Sequence, residues 1–309
     1  MEVVWVTGGR GFIGKNLSSY LAKQGNQVLG LGHGALHPEL SKDFNFGISY
    51  WVNGEIEESN LRQLLEKSGQ PDFIYHLAGG SSVGLSIQAP AEDFRRSVST
   101  TAALLEWIRG NVPETKLVIS SSAAIYGNSH KGSILEDGCF TPYSPYGFHK
   151  RASELLCQSY AHNFGLKIAI VRLFSIYGPG LTKQLLWDLC HRLQKSPQTL
   201  ELQGTGNEIR DWLFIEDAIQ ILIAAAQKAS CTPFIVNGGT GISTSVYDVA
   251  TTLCEAWGES PQIKFSGKQR SGDPFSLIAD TQRLHNLGFV AKYKLAEGIE
   301  KYVRWFKQL

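Results

Sequence analysis

Short apolar runs alternate with amphipathic segments of helix length along the first half of the chain. The apolar runs predict buried strands at 3–6, 27–31, 73–77, 117–120 and 167–173. The amphipathic segments predict helices at 13–24, 60–67, 92–109 and 146–163. In the first of these, Ile13, Leu17 and Leu21 recur at four-residue spacing and form one apolar face. The alternation predicts an α/β fold, a doubly wound parallel sheet with helices on both faces.

The alternation weakens after about residue 175. Glycine-containing turns interrupt the pattern at 178–180, 204–207 and 237–239. We therefore expect a first domain over 1–175 and a smaller domain over 176–309, some segments of which return to pack on the first. Doubly wound sheets bind ligands beyond the carboxyl ends of their strands, so the chemistry is expected at that edge.

Composition and charge exclude several classes of protein. Hydrophobic residues make up 43% and charged residues 18% of the chain, an ordinary globular balance. The net charge is +1, so the basic excess of a nucleic-acid binder is absent. No apolar stretch approaches the roughly 20 residues of a membrane span, and no basic region precedes the first apolar run as in a signal peptide. Five widely spaced cysteines, without zinc-site spacing, predict inert thiols in a reducing cytoplasm and no metal site.

A glycine-rich loop follows the first predicted strand and opens the first predicted helix. Gly8, Gly11 and Gly14 allow a tight turn, a close approach of backbone N–H groups to a pyrophosphate, and close packing of helix on strand. Because the loop stands at the first strand of an alternating pattern, incidental glycines are the weaker explanation. The first domain is therefore predicted to bind a dinucleotide and the second a substrate.

Tyr146 and Lys150 are four residues apart, so both side chains lie on one face of a predicted helix. A free tyrosine has a pKa of about 10 and is a poor base near neutrality. A nearby ammonium group favours the phenolate, and we expect it to lower the pKa of Tyr146 for proton transfer at a hydroxyl or carbonyl oxygen. A Tyr/Lys pair at this spacing is by itself more often a pair of ordinary surface residues. This pair follows the serine run at 120–122, which favours a catalytic role.

The chain resembles the extended branch of the short-chain dehydrogenase/reductase superfamily, namely the nucleotide-sugar epimerase/dehydratase family, which includes enzymes like UDP-glucose 4-epimerase. The resemblance rests on motifs spread along almost the whole chain. These are TGGRGFIG at 7–14, DFIYHLAG at 72–79, SSSAAIYG at 120–127, YGFHK at 146–150, RLFSIYGP at 172–179, RDW at 210–212, RSGD at 270–273 and DTQR at 280–283. It implies a Rossmann fold and an enzyme acting on a sugar ring activated by a nucleotide.

The resemblance assigns roles to individual residues. Ser122, Tyr146 and Lys150 correspond to the catalytic residues, with Lys150 also holding the nicotinamide ribose and Ser122 hydrogen-bonding the reacting sugar oxygen. The carboxylate of Glu55, beside Ile56, corresponds to the one that meets the adenine amino group. The complete set of candidate cofactor-binding residues is Gly8, Arg10, Gly11, Phe12, Ile13, Gly14, His33, Glu55, Ile56, Leu77, Ala78 and Lys150.

Two positions bear on the choice of nicotinamide cofactor. NAD-binding relatives place an Asp at the end of the second strand, where this chain has Gly32. The missing carboxylate removes repulsion against a 2′-phosphate, and Arg10 could pair with that phosphate or be a solvated loop residue. Together the two features favour NADP(H) over NAD(H).

Candidate substrate-binding residues lie mainly in the second half. Arg210 and Arg270 match two family arginines that grip the substrate diphosphate, because a guanidinium fork suits phosphate oxygens. Either arginine could instead pair with a neighbouring carboxylate, Asp211 or Asp273. Ser175 takes a position where an Asn often contacts the substrate phosphate in relatives.

Other positions depart from the family pattern and narrow the activity. Ser97 replaces a frequent Asn, which leaves a proton relay there open, and His149 replaces a Ser and is interpreted as a half-exposed helix residue. Ala123 and Ala124 stand where dehydratases carry an Asp-Glu pair, so a 4,6-dehydratase is not expected. Our main prediction is a 4-ketosugar reductase, and the alternative is a C4 epimerase with tightly bound NAD. A remote alternative is a non-catalytic relative that senses dinucleotide.

The resemblance also implies a homodimer paired through the helices at 92–109 and 146–163. Apolar stripes on both helices agree with that pairing, although they could equally cover the sheet of a monomer. The stripe residues are Ala102, Leu105 and Ile108 on one helix and Ala152, Leu155, Leu156, Ser159 and Tyr160 on the other.

Overall fold

The computed structural model describes residues 1–34, 46–128, 130, 132–195, 198–268 and 274–309. The chain forms two compact units whose segments interleave in sequence. One comprises Met1–Ile125, Pro142–Arg172 and Ile219–Val236, and the other Tyr126–Thr141, Leu173–Ala218 and Asn237–Leu309. No helix of the described chain is both long and apolar enough to cross a membrane.

The first unit is built on a seven-stranded sheet with the order β12-β7-β5-β4-β1-β2-β3. Its strands are β1 Val3–Thr7, β2 Gln27–Gly32, β3 Ile48–Asn53, β4 Phe73–His76, β5 Lys116–Ser122, β7 Lys167–Leu173 and β12 Phe234–Gly238. The pairs β1–β2, β2–β3, β1–β4 and β4–β5 are parallel. The first strand, β1, lies inside the sheet, the next two strands extend the sheet to its β3 edge, and β4 then pairs with the other side of β1. This order confirms the predicted doubly wound sheet. The carboxyl ends of β1 and β4 meet where the winding reverses.

The four predicted helical segments of the first unit are helical, whereas the helix Val83–Gln88 was not predicted. The helices are α1 Phe12–Lys23, α2 Glu58–Ser68, α3 Val83–Gln88, α4 Pro90–Phe94, α5 Thr100–Asn111 and α6 Pro145–Phe164. A helix α8, Ile215–Gln227, runs into this unit from the other. The helix expected at 92–109 is interrupted by a π-helical turn, Arg95–Ser99, between α4 and α5. Such turns are rare and frequently occur at functional sites.

A continuous apolar core explains why these segments form strands and helices. Trp5 of β1 is fully buried and its ring lies 5.6 Å from that of Trp107 on α5. Leu105 and Ile108 of the same helix are also fully buried in this core. The apolar stripe of α5, which was expected to face a partner subunit, therefore packs on the sheet of its own unit.

Among the residues that the structure describes, the second unit contains smaller sheets and four further helices. Its strands are β6 Ser133–Ile134, β8 Ser175–Tyr177, β9 Thr199–Leu202, β10 Ile209–Arg210, β11 Trp212–Phe214, β13 Thr244–Ser245, β14 Gln262–Phe265 and β15 Ser276–Ala279. Its helices are α7 Gln184–Leu193, α9 Val246–Trp257, α10 Gln282–Asn286 and α11 Leu295–Phe306. The strands form a four-stranded sheet, β13-β10-β15-β6, and two pairs, β8–β11 and β9–β14.

Candidate active site

The glycine loop joins β1 to α1 through close backbone contacts. The N–H of Gly8 donates to the carbonyl of Leu31 at 2.8 Å, and that of Gly11 to the carbonyl of Gly8 at 2.8 Å. Gly8 has φ +70°, and a Cβ there would lie 2.7 Å from the nitrogen of Ala78. A Cβ at Gly14 would overlap the carbonyl oxygen of Gly8. The backbone path therefore requires glycine at both positions.

The amino end of α1 has the features of a phosphate cradle. Gly11 precedes the helix without a side-chain cap, and Phe12 and Ile13 begin it. The N–H groups of a first helical turn have no partner within the helix and carry partial positive charge. Because Gly11 has no side chain to cover them, these donors fit the pyrophosphate of a dinucleotide.

Leu77 and Ala78 lie beside this loop at the end of β4. The N–H of Leu77 donates to the carbonyl of Thr7 at 3.1 Å, and that of Ala78 to the hydroxyl of Thr7 at 3.4 Å. The structure therefore brings Gly8, Leu77 and Ala78 together where the winding of the sheet reverses.

His33 and Glu55 meet at the other end of the candidate dinucleotide site. The Nε2 of His33 lies 3.4 Å from the Glu55 carboxylate, and Arg95 donates to the same oxygen at 2.8 Å. The Arg95 hydrogen bond is the main reason that the pKa of Glu55 is lowered, while burial acts against it and His33 adds a smaller lowering effect. Ile56 is buried beside them. The sequence did not indicate Arg95, which lies 40 residues from Glu55.

Arg10 and Lys15 form a local excess of positive charge near the end of β2. The Arg10 guanidinium lies against Gly34, where it fills the place of a side chain. Burial, and secondarily the charge of Arg10, lower the pKa of Lys15. Within the described ranges, no carboxylate forms an ion pair with either residue. This region therefore favours an anionic group.

Two hydrogen bonds position Tyr146 at the start of α6. The Ser144 hydroxyl caps the helix by accepting the N–H of Gly147 at 3.2 Å, and the Ser86 hydroxyl accepts that of Tyr146 at 3.0 Å. A Cβ at Gly147 would lie 2.6 Å from the carbonyl oxygen of Ala124. Glycine at 147 thus lets α6 approach the end of β5.

Ser122 and Lys150 complete the predicted catalytic set. Ser122 ends β5, accepts the N–H of Ala124 at 3.2 Å and is close enough to Tyr146 to lower the pKa of its phenol. The Lys150 Nζ donates to the Ser120 carbonyl at 2.9 Å and lies 5.9 Å from the centre of the Tyr146 ring. The structure therefore brings Ser122, Tyr146 and Lys150 together.

The pKa values of the two titratable groups differ from what their spacing suggests. Burial raises the pKa of Tyr146, a hydrogen bond with Ser122 lowers it, and the charge of Asp93 raises it again. The net direction is upward, so the expectation of a lowered pKa was wrong, because burial outweighs the effect of Ser122 and the charge of Asp93 adds to the increase. Burial lowers the pKa of Lys150 to about 8, against raising effects from Asp93 and Glu154. Without dinucleotide, Tyr146 is thus a neutral phenol.

The predicted substrate residues lie in the second unit. Ser175 begins β8, and its N–H donates to the carbonyl of Asp211 at 3.0 Å. Arg210 lies on β10 and donates to the carbonyl of Ile209 at 2.8 Å. Asp211 is fully buried, and its carboxylate accepts hydrogen bonds from backbone N–H groups and a threonine hydroxyl, so its acceptor capacity is already in use. Arg270 lies outside the described residues.

Two further observations limit the chemistry. Ala123 and Ala124 form a short 3₁₀ turn after Ser122, so neither position supplies a carboxyl group there. Among the described residues, no group of three or more His, Cys, Asp or Glu side chains is arranged to hold a metal ion.

A comparison with protein families agrees with this arrangement. Residues 4–237 match the model of the NAD dependent epimerase/dehydratase family. The chain belongs to this family. The match confirms the resemblance drawn from the motifs, and the family is shared by epimerases and dehydratases.

Individual family members match almost the full length of the chain. A UDP-glucose 4-epimerase of Mycolicibacterium smegmatis is 28% identical over 312 residues, covering 98% of this chain and 97% of that protein. A dTDP-glucose 4,6-dehydratase of Xanthomonas campestris is 27% identical over 325 residues, covering 97% of this chain and 92% of its own length.

Solved structures of family members share the fold. MoeE5 in complex with UDP-glucuronic acid and NAD superposes with a TM-score of 0.87 at 28% identity, covering 99% of both chains. The UDP-glucuronic acid 4-epimerase of Bacillus cereus, in complex with UDP-glucuronic acid and NAD, gives the same values.

Proposed function

We propose that this family member is an NAD-dependent C4 epimerase of a UDP-hexose. The observation that carries the proposal is the convergence of Ser122, Tyr146 and Lys150 with Ala123 and Ala124 beside them. These residues can transfer a proton at a sugar hydroxyl, but they lack the carboxyl pair that a dehydratase uses next to its catalytic serine. Epimerases among the relatives and NAD in the solved neighbours support this over our main sequence-based prediction of a reductase.

The side chains divide the proton chemistry among them. Tyr146, in its ionised form, takes the proton of the C4 hydroxyl and returns it to the same oxygen after the sugar has turned. Ser122 donates a hydrogen bond to that oxygen and stabilises the negative charge that develops on it. Lys150, in its charged form, favours ionisation of the Tyr146 phenol. Bound NAD would supply the acceptor and donor of the hydride exchanged at the sugar carbon.

We assign the dinucleotide to the first unit and the UDP-sugar mainly to the second. Uncapped N–H groups at the start of α1 and the glycine cradle of Gly8 and Gly14 support the first assignment. The matching positions of Ser175 and Arg210, and of Arg270 by sequence alone, support the second. Mass spectrometry of nucleotides released from the denatured protein tests the cofactor, and NAD at near-stoichiometric amounts is the expected result.

One observation favours a second candidate, the NADPH-dependent 4-ketosugar reductase. Arg10 lies against Gly34, and together with Lys15 it leaves positive charge there. Gly34 is two residues after Gly32, the position where an acid would repel a 2′-phosphate. The solved neighbours hold NAD and give this candidate no support. NADP among the released nucleotides would favour it.

We further propose a homodimer that pairs through α6. Leu155 and Phe148 on this helix are 51% and 57% exposed, although both are large apolar side chains. A second copy would remove these side chains from water.

A further inference from the structure

Asp93 and His149 form a carboxylate–imidazole pair next to the candidate catalytic residues. The Nδ1 of His149 lies 2.6 Å from an Asp93 oxygen, and the two side chains are only 16% and 7% exposed. His149 stands between Tyr146 and Lys150 on α6, while Asp93 comes from α4. His149 therefore is not the half-exposed helix residue that the sequence suggested.

The loop after β4 is shaped around Asp93. A Cβ at Gly80 would overlap the second Asp93 oxygen and would lie 3.1 Å from the Ser97 hydroxyl. A Cβ at Gly79 would lie 3.6 Å from both the Ser97 hydroxyl and the Lys150 Nζ. The N–H of Gly80 donates to the Ser97 hydroxyl at 3.0 Å. Two consecutive glycines thus let Asp93, Ser97 and Lys150 converge on one turn.

The π-helical turn at Arg95–Ser99 contributes to the same convergence. It inserts an irregular turn directly after α4 and carries Ser97, which is 3% exposed. The Ser97 carbonyl accepts hydrogen bonds from the hydroxyls of Thr101 at 2.6 Å and Ser153 at 3.3 Å. The bond from Ser153 holds the turn against α6.

We propose that Asp93 and His149 are positioning residues for the catalytic pair. The imidazole N–H holds the carboxylate in place, and the negative charge of the carboxylate acts on Tyr146 and Lys150. The proposal takes these two residues as catalytic and in that respect rests on the proposed function.

The direction of the pKa shifts agrees with this role. For Tyr146, burial raises the pKa, Ser122 lowers it and Asp93 adds to the increase. For Lys150, burial lowers the pKa, and Asp93 is the first of the groups that oppose the decrease. Asp93 therefore favours the protonated form of both residues.

Other charged groups around the pair already have partners. Glu154 of α6, which also acts on Lys150, is bound by the guanidinium of Arg172 through two bonds of 2.9 Å. Glu92 of α4 pairs with Arg95 and Arg96 of the π-helical turn on the exposed side.

The histidine at the end of β4, His76, is uncharged. Burial, and secondarily Lys150, lower the pKa of His76 to about 3, so this histidine stays neutral. Helix α3 contributes no titratable side chain. Asp93 thus remains the buried carboxylate whose partner is an imidazole.

The test is a spectroscopic titration of Tyr146 in the NAD-bound protein. The phenolate absorbance of each protein is corrected by subtracting that of the same protein carrying Tyr146→Phe. Asp93→Asn removes a nearby negative charge, so the ionisation constant of Tyr146 should increase about ten-fold, a decrease of about one pKa unit. His149→Gln keeps an N–H donor and should titrate like the unmodified protein. His149→Ala releases the carboxylate and should move the titration in the same direction as Asp93→Asn.

The control is His162→Gln, because His162 lies on the exposed last turn of the same helix. It should leave the titration unchanged. An unchanged Tyr146 titration in Asp93→Asn would overturn the proposal, and so would identical titrations of His149→Ala and His149→Gln. If Asp93→Asn does not fold, the two His149 variants decide alone. The absorbance reports on Tyr146 even if the protein epimerises no sugar, so the two proposals can fail independently.

Discussion

The Lys150 ammonium donates a hydrogen bond of 2.9 Å to the carbonyl oxygen of Ser120, which lies two residues before Ser122. This bond links α6 to the end of β5 and fixes the charge of Lys150 beside Tyr146. Burial lowers the pKa of Lys150 to about 8, so the ammonium form is lost as the pH rises through that value.

We predict from this pKa that NAD binding weakens at alkaline pH. Affinity should be full below about pH 8 and should fall above it, because neutral Lys150 no longer makes a charged hydrogen bond to the cofactor. Such a bond contributes about 1.5–3 kcal/mol. Lys150→Met should lower the affinity by a similar amount at neutral pH and remove the pH dependence. Calorimetry from neutral to alkaline pH measures the NAD affinity of the unmodified protein and of Lys150→Met. If the affinity of Lys150→Met decreases at alkaline pH as much as that of the unmodified protein, the decrease belongs to another group.

Gly14→Ala is predicted to weaken dinucleotide binding strongly. The new Cβ would overlap the Gly8 carbonyl oxygen and push the loop away from α1. Inserting an extra methyl group into a tightly packed place costs about 1–3 kcal/mol of free energy.

Gly110→Ala is the matched control for Gly14→Ala. Gly110 also lies in a helix, but a Cβ there would meet open space. The control should bind NAD normally and gain up to about 1 kcal/mol of stability. Normal NAD affinity in Gly14→Ala would show that the loop is not the binding site.

Arg10→Ala is predicted to separate the two nicotinamide cofactors. If the charge near Gly34 can pair with a 2′-phosphate, the variant should lose about 1.5–3 kcal/mol of affinity for NADP and little for NAD. Calorimetry with both cofactors checks this, with Arg62→Ala on the exposed face of α2 as the control. Equal losses for the two cofactors would mean that Arg10 only shapes the loop.

Leu155→Glu is predicted to convert the homodimer into a folded monomer. Leu155 is 51% exposed, so a charge there should disturb a partner rather than the core. The same change at Ile242, which is 62% exposed in the other unit, is the control and should leave a dimer. Light scattering that finds a monomer in the unmodified protein would refute the dimer. Leu105 is unsuitable for this test, because it is fully buried within its own unit.

Local sequence patterns were sufficient to predict most of the first unit and the closeness of Tyr146 to Lys150. Gly8, Gly11 and Gly14 lie within one loop, and Tyr146 and Lys150 lie one helical turn apart, so short-range spacing carries the information. The predicted strand at 167–173 coincides with β7, and the other predicted boundaries differ by one to a few residues.

The contacts that the sequence did not reveal join distant segments. His149 meets Asp93 across 56 residues, and Arg95 meets Glu55 across 40. No periodic pattern connects such positions, since they depend on how α4 and the π-helical turn pack. The apolar stripe of Leu105 was ambiguous for a related reason, because a stripe shows that a helix is covered but not what covers it.

The central claim is that Tyr146 serves a C4 epimerase that needs no external reductant. The most direct measurement follows UDP-glucose and UDP-glucuronic acid by NMR with the purified protein and no added nicotinamide cofactor. We predict that at least one of them converts to a mixture of its C4 epimers, and that Tyr146→Phe stops the conversion while NAD stays bound. Conversion of neither sugar, or undiminished conversion by Tyr146→Phe, would contradict the account.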